Sequence, residues 1–413
     1  MKRHGRHPVT CEVAIVGAGP VGLFLGCCLQ ELDISCLLLE KNAGPLRHSR
    51  SIGIHPPCLE LFARLGLAGE FLAQGVRIVG GRAFGEGRQL GFISFEGCPG
   101  PFNYVLALPQ YETERILEEA LPGGGRDCLL RGLRILGIAE GSDRVYVEGR
   151  DPAGRTLEVR CHYVVGCDGR SSQVRELAGI AFEGMPYPDT YVMGDFTDCT
   201  SSGNEAHIFL GRGGVVESFP LPGGIRRWVV RAEAARGEAL LEDFHRKVFA
   251  RTGHDLSGQE NFMLNAFGIQ RYLAAAFFSG RLVLAGDSAH VMSPIGGQGM
   301  NVGWMDAWDL AGTLFRILRL GASPQQALGS YGRRGRRRAR RRAAVYTTLG
   351  RRIRCPRLCL GLIRLLLQSP LEGFLARLFT MHGLRPLGAL PETDIPPENP
   401  AERPALGCRE GRG

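Results

Sequence analysis

The run Gly17-Ala18-Gly19-Pro20-Val21-Gly22 has the composition needed to hold phosphate with backbone rather than side chains. Gly17 permits a tight turn, Gly19 lets the main chain approach a pyrophosphate, and Gly22 lets a following helix pack closely on a sheet. Free N–H groups at the start of that helix, with its dipole, favour negative charge. Glu40 lies about 20 residues downstream, the spacing of a carboxylate that accepts a ribose hydroxyl. An acid there suits an unphosphorylated adenosine ribose, so FAD or NAD fits better than NADP. The glycines alone do not choose between those two.

Two later acids narrow the choice. Asp168 follows the apolar run 163–167 in Cys167-Asp168-Gly169-Arg170, and Asp287 follows the apolar run 281–285 in Gly286-Asp287-Ser288-Ala289-His290. Each stands at the C-terminal end of an expected strand, where open α/β sheets bind ligands. After Asp287 comes a loop from Ser293 through Pro294, Gly299 and Met300 to Asn301, whose glycines allow backbone to meet a flat ring. A helix expected over 301–318 would offer N–H groups to negative charge on a reduced flavin. Together the three motifs describe a chain folded around FAD.

The elements that must position these residues are readable as patterns. Segments 12–16 and 34–39 are short apolar runs suited to buried parallel strands, with a helix expected between them over 21–32. Segments 206–210, 215–221 and 227–230 are strand-like and are separated by Gly-rich turns, which predicts antiparallel hairpins. The expected class is α/β: a Rossmann-like FAD-binding domain with an inserted antiparallel-sheet substrate domain and a C-terminal helical segment. The FAD-binding domain is expected to be discontinuous, over 10–82, 105–182 and 270–345. The sheet domain takes 83–104 and 183–269, the helical segment 346–390, and a Pro-, Glu- and Gly-rich tail 391–413.

In this order the three motifs resemble those of the FAD-dependent aromatic hydroxylases, the class A flavoprotein monooxygenases of the para-hydroxybenzoate hydroxylase type, over about residues 11–345. The resemblance implies that Gly17, Gly19 and Gly22 hold the FAD pyrophosphate, Glu40 the adenosine ribose and Asp287 the ribityl chain. It implies that Arg50 and Gln110 help to hold FAD, and that Asp168 and Arg170 serve FAD and NAD(P)H. Gly299, Met300 and Asn301 would present backbone to the isoalloxazine, and Pro294 would shape the reaction chamber. The family often carries a second arginine where this chain has His48. His290 belongs to the pattern and is read as a structural hydrogen-bonding residue. NADPH or NADH would bind transiently, with no second glycine fingerprint. The implied activity is hydroxylation of an aromatic, quinone-precursor or polyketide-like molecule by O2 through a flavin C4a-hydroperoxide. The alternative keeps the fold without the oxygen chemistry, as a reductase or dehydrogenase of a lipid-like or prenylated substrate. A non-catalytic flavoprotein that binds a membrane or a partner is a third class.

Composition is consistent with a globular enzyme. The 413 residues exceed what one core supports, which predicts two associated domains. The 13 cysteines are odd in number and lack any CxxC spacing, which suits reduced thiols in a cytoplasmic protein and argues against a metal site. No apolar run is long enough for a membrane span. Much of the +9 net charge comes from Arg333, Arg334, Arg336, Arg337, Arg338, Arg340, Arg341 and Arg342. That run reads as a solvated helix or as a peripheral contact with anionic lipid. No stacking platform accompanies it, so nucleic acid is not expected. The chain is also shorter than family members that carry a thioredoxin-like C-terminal domain, which suggests the compact form. Phe209, Phe219, Trp228, Tyr104, Tyr187 and Tyr191 are candidates for an apolar substrate pocket, each with core packing as its ordinary role. No catalytic base follows from the motifs.

Overall fold

The computed structural model describes residues 8–45, 51–211, 213–231, 238–292, 297–352, 357–369, 371–382 and 390. The sheet that carries the glycine turn has six strands in the order Phe278–Ser279, Leu282–Leu284, Tyr163–Gly166, Val13–Val16, Cys36–Glu40, Leu129–Arg131. All neighbours run parallel except the first pair, a short antiparallel hairpin. The central strands are buried along their whole length, which explains why they read as unbroken apolar runs rather than alternating ones.

The helices Pro20–Glu31 and Gln298–Leu318 pack together on this sheet. Gly303 allows the contact, since a Cβ there would lie 2.6 Å from Val21 Cγ2. The second helix begins at Gln298, three residues earlier than its sequence pattern suggested. Gly297 caps it at φ +65°, a conformation that favours glycine and lets the loop turn directly into helix. Gly299 and Met300 therefore sit in its first turn.

An eight-stranded sheet stands beside this unit, in the order His290–Val291, Asn261–Ala274, Phe182–Thr197, Ile225–Arg231, Val216–Leu221, Glu205–Leu210, Gly80–Gly85, Arg88–Ser94. The expected hairpins are present. Glu205–Leu210 also pairs in parallel with Gly80–Gly85, which no local pattern announces. One face packs under the helix Glu238–Thr252 through Val192, Phe196, Phe209, Trp228 and Val230, with Phe244 and Val248 on the helix side. Phe209 and Trp228 thus belong to a core. Tyr191, Met193, Val229 and Ile269 lie together on the other face, with Tyr187 and Phe219 against them. Tyr104 is also buried, in the cofactor-side core.

The arginine-rich helix Pro324–Arg352 departs from the solvated reading. Arg333, Arg337, Arg340 and Arg341 are exposed, but Arg338 and Arg342 are buried against the cofactor unit. The helices Arg357–Leu367 and Glu372–Phe379 then lie against Arg88–Ser94. The tail 391–413 falls outside the described residues. No described helix is long and apolar enough to cross a membrane. No group of metal-ligating side chains occurs among the described residues.

Candidate cofactor and substrate site

Four adjacent parallel strands end along one edge of the cofactor sheet, and each carries a residue singled out by the motifs. Asp287 follows Leu282–Leu284, Asp168 follows Tyr163–Gly166, Gly17 follows Val13–Val16, and Glu40 closes Cys36–Glu40. Strand direction alone brings together residues up to 270 positions apart in sequence.

Each glycine has a distinct constraint. Gly17 sits at φ +103°, and a Cβ there would meet the Cys167 carbonyl oxygen at 2.4 Å, so the turn lies directly against the Asp168 loop. A Cβ on Gly22 would lie 2.0 Å from the Gly17 carbonyl oxygen. Gly19 has an ordinary extended backbone and nothing within 4 Å of its would-be Cβ. Its surroundings are open at the start of a helix with no acidic residue in the first turn. Open space and a helix start with no acid in its own first turn fit a pyrophosphate at this turn.

Glu40 is buried and already employed: Oε2 accepts from the Ala18 N–H at 2.9 Å, and Oε1 accepts from the Asn42 N–H at 2.9 Å and its Nδ2 at 2.7 Å. It therefore pins the glycine turn to the end of the next strand. Gln110 opens the helix Gln110–Glu119 and donates to Glu114 Oε1 at 2.8 Å. Burial raises the Glu114 carboxyl above the usual range, against the lowering effects of Gln110 and Arg131.

Asp168 caps the short helix Gln173–Leu177, with Oδ2 accepting from the N–H groups of Gln173 at 2.7 Å and Val174 at 3.1 Å. Its Oδ1 is buried and has no hydrogen-bond partner among the described residues. Burial outweighs those bonds and raises the carboxyl. Arg170 is exposed and reaches Gln270 of the large sheet. Asp287 is exposed between buried Gly286 and Ser288. The loop is held from below, where Ser288 Oγ donates to the Gly166 carbonyl at 2.6 Å and Arg175 Nη1 donates to the Ser288 carbonyl at 3.0 Å.

Asn301 is fully buried, and its side chain has a structural task that its motif did not reveal. Oδ1 accepts from the His55 N–H at 2.9 Å, while Nδ2 donates to the carbonyls of Gly53 at 2.8 Å and Gly297 at 3.0 Å. The first turn of the helix is thereby clamped to the strand Gly53–Ile54. His290 Nε2 bonds Asp306 Oδ2 in the interior, in keeping with a structural role. Arg338 approaches Asp306 at 3.4 Å and Asp309 at 3.3 Å, and Arg334 pairs with Asp309 at 2.6 Å. None of these partners was legible beforehand, although an acid repeated at Asp306 and Asp309 on an apolar helix was an available signal. Arg50, Pro294 and His48 lie outside the described residues.

Fold and site together define a flavin-binding α/β protein. Residues 10–345 match the model of the FAD binding domain family, and the chain belongs to that family. It is 33% identical over 330 residues to a rifampicin monooxygenase of Streptomyces venezuelae, covering 78% of this chain and 67% of that protein. It is 29% identical over 322 residues to the pentachlorophenol 4-monooxygenase of Sphingobium chlorophenolicum, covering 76% and 59% respectively. Among solved structures, a p-nitrophenol 4-monooxygenase from Pseudomonas putida superposes with a TM-score of 0.83 over 91% of this chain and 98% of that one, at 22% identity, a likeness of fold. The chain spans between 58% and 67% of the length of the first curated relatives it matches.

Proposed function

We propose that the protein is an FAD- and NAD(P)H-dependent monooxygenase that hydroxylates an aromatic, quinone-precursor or polyketide-like small molecule. The observation that carries this reading is the row of Gly17, Glu40, Asp168 and Asp287 on four neighbouring strand ends. Relatives named for phenolic and polyketide-derived substrates support the substrate class.

In this reading Gly17, Gly19 and Gly22 hold the pyrophosphate, and Glu40 the adenosine ribose. Gln110 and Arg50 assist, and Asp287 binds the ribityl chain. Asp168 and Arg170 border the cofactor, and the backbone of Gly299, Met300 and Asn301 meets the ring beside Pro294. Bound FAD supplies hydride acceptance from NADPH or NADH and the activation of O2. The chain's own residues supply position and dryness. Segments 83–104 and 183–269 form the substrate-binding unit, in which Tyr191, Met193, Val229 and Phe219 line an apolar wall. Arg227 stiffens that wall by gripping Asp195 with two bonds of 2.6 and 2.7 Å.

The test is anaerobic reduction of the FAD-loaded protein by NADH and NADPH with a panel of phenols, quinols and polyketides, followed by 18O2. Reduction accelerated by a panel member, with one labelled oxygen in its product, supports the reading. Reduction with no labelled product from any member would favour a reductase.

A cytoplasmic enzyme is the setting proposed for these free thiols. Peripheral contact with anionic lipid is a secondary reading that rests on exposed Arg333, Arg337, Arg340 and Arg341. Sedimentation with phosphatidylserine vesicles at low salt tests it, and a protein that stays in the supernatant rules it out.

A further inference from the structure

Glu217 stands in mid-strand on Val216–Leu221, where successive side chains point to opposite faces of the large sheet. Val216 packs toward the helix Glu238–Thr252, and Ser218 pairs with Trp228 of the same cluster. Glu217 and Phe219 therefore face the other way. Pairing sets Glu217 between Val229 and Ile208, in one row with Met193 and Asn265. Its strand contacts Val76–Ile78 and Val105–Ala107, short strands on the cofactor side.

The charged groups around it are occupied. Asp195 is held by Arg227, and Arg231 by Asp189 at 2.7 Å. Tyr191 feels the Glu217 charge across the sheet, and on the short strands Val76 and Val105 pack in one apolar cluster with Ile208 and Phe219. Among the described residues the Glu217 carboxyl has neither a hydrogen bond nor an ion pair, and it remains partly open to solvent. A carboxyl in apolar surroundings without a partner is costly to the fold, which points to a partner that arrives from outside.

Building on the monooxygenase reading, we propose that Glu217 is a catalytic carboxylate of the substrate chamber that takes the proton of a phenol or enol hydroxyl. The substrate O–H bond breaks with its electron pair left on oxygen. The proton bonds to a Glu217 carboxylate oxygen and passes to solvent when the carboxyl ionises again. The added electron density makes the ring a better nucleophile toward an electrophilic oxygen. Burial pushes the Glu217 carboxyl up to about 7, where a general base works well near neutral pH. Every substrate in the test below carries such a hydroxyl.

The experiment uses FAD-loaded full-length chain as wild type, Glu217→Gln and Glu217→Asp, with a panel of phenols and enols whose own hydroxyls ionise above about pH 9. Binding is read from the flavin absorbance, and turnover from NAD(P)H oxidation and hydroxylated product, each across about pH 5 to 9. Glu217→Gln is expected to keep FAD, to lose about 10²- to 10⁴-fold in hydroxylation, and to lose the pH limb near neutrality in both binding and turnover. Glu217→Asp is expected to restore part of each. Unchanged rate and pH profile in Glu217→Gln would overturn the assignment while leaving the monooxygenase reading intact. A wild-type profile without a limb near neutrality would do so even if the Gln variant failed to fold. If no panel member binds wild type, the aromatic-substrate reading falls and this proposal with it.

Discussion

The indole Nε1 of Trp304 donates to the carbonyl oxygen of Pro20, 3.0 Å away. That bond joins the first turn of the phosphate-side helix to the helix that starts beside the expected flavin ring. The two helix starts are thus braced by one half-buried contact, next to the close approach at Gly303. Trp304→Phe leaves the Pro20 carbonyl without its donor. The expected cost is about 1–3 kcal/mol, read as a lowered Tm, with weaker FAD retention.

The glycines separate folding from binding. Gly22→Ala drives a Cβ into the Gly17 carbonyl oxygen at 2.0 Å and should destabilise the FAD-free protein by roughly 3 kcal/mol. Gly19→Ala meets nothing within 4 Å, so apo stability should stay within about 0.5 kcal/mol of wild type. Its FAD affinity should nevertheless fall by about tenfold or more, because the methyl group occupies the approach of the pyrophosphate. Equal affinity in Gly19→Ala and wild type would place the phosphates elsewhere.

Glu40 and Asp287 should differ in the same way. Glu40 bonds the Ala18 N–H and Asn42, so Glu40→Ala should lower both the apo Tm and FAD affinity. Asp287 is exposed, so Asp287→Ala should change apo stability by less than about 1 kcal/mol while FAD occupancy drops strongly. Absorbance of the purified proteins near the flavin bands measures both. Full retention of FAD in the two variants would refute the site map.

Arg338 and Arg337 are neighbours in sequence with opposite environments. Arg338→Ala removes the cation beside buried Asp306 and Asp309, leaving Asp306 with His290 alone, and should cost about 3–5 kcal/mol. Arg337→Ala, on the exposed side, should fall within about 0.5 kcal/mol of wild type. Urea unfolding of the pair distinguishes an anchored helix face from a wholly solvated one.

Glu217 predicts a pH effect with a definite sign. Its carboxyl titrates at about 7 when folded, against an ordinary value of 4.5, so the folded state holds the proton more tightly. Stability from this group is therefore lost as pH rises from about 4.5 through 7. Glu217→Gln removes that loss. Allowing for partial solvent exposure, the variant should match wild type near pH 4 and exceed it by about 2 kcal/mol at pH 8. Parallel stability curves for the two proteins would show that Glu217 is not buried as described.

Local chemistry made much of the cofactor site legible. Glycines at 17, 19 and 22, with apolar runs on either side and an acid at 40, specify a strand, turn, helix and strand through contacts close in sequence. The helix start at Gln298 was misplaced because a glycine in the left-handed conformation can cap a helix without any side-chain signal. The role of Asn301 was hidden because its partners, Gly53 and His55, lie about 250 residues away.

The sequence by itself determined the cofactor class, the order of the strands' motifs and which acids stand at strand ends, because these depend on turn chemistry and short-range hydrophobic pattern. Only the tertiary structure decided that Glu217 lies on the sheet face away from the helix Glu238–Thr252, that Arg338 is buried while Arg337 is solvated, and that Trp304 braces Pro20. Those outcomes depend on sheet register and helix rotation. A shift of one residue in a strand, or about 100° on a helix, reverses which side is buried, and long-range packing alone selects between them.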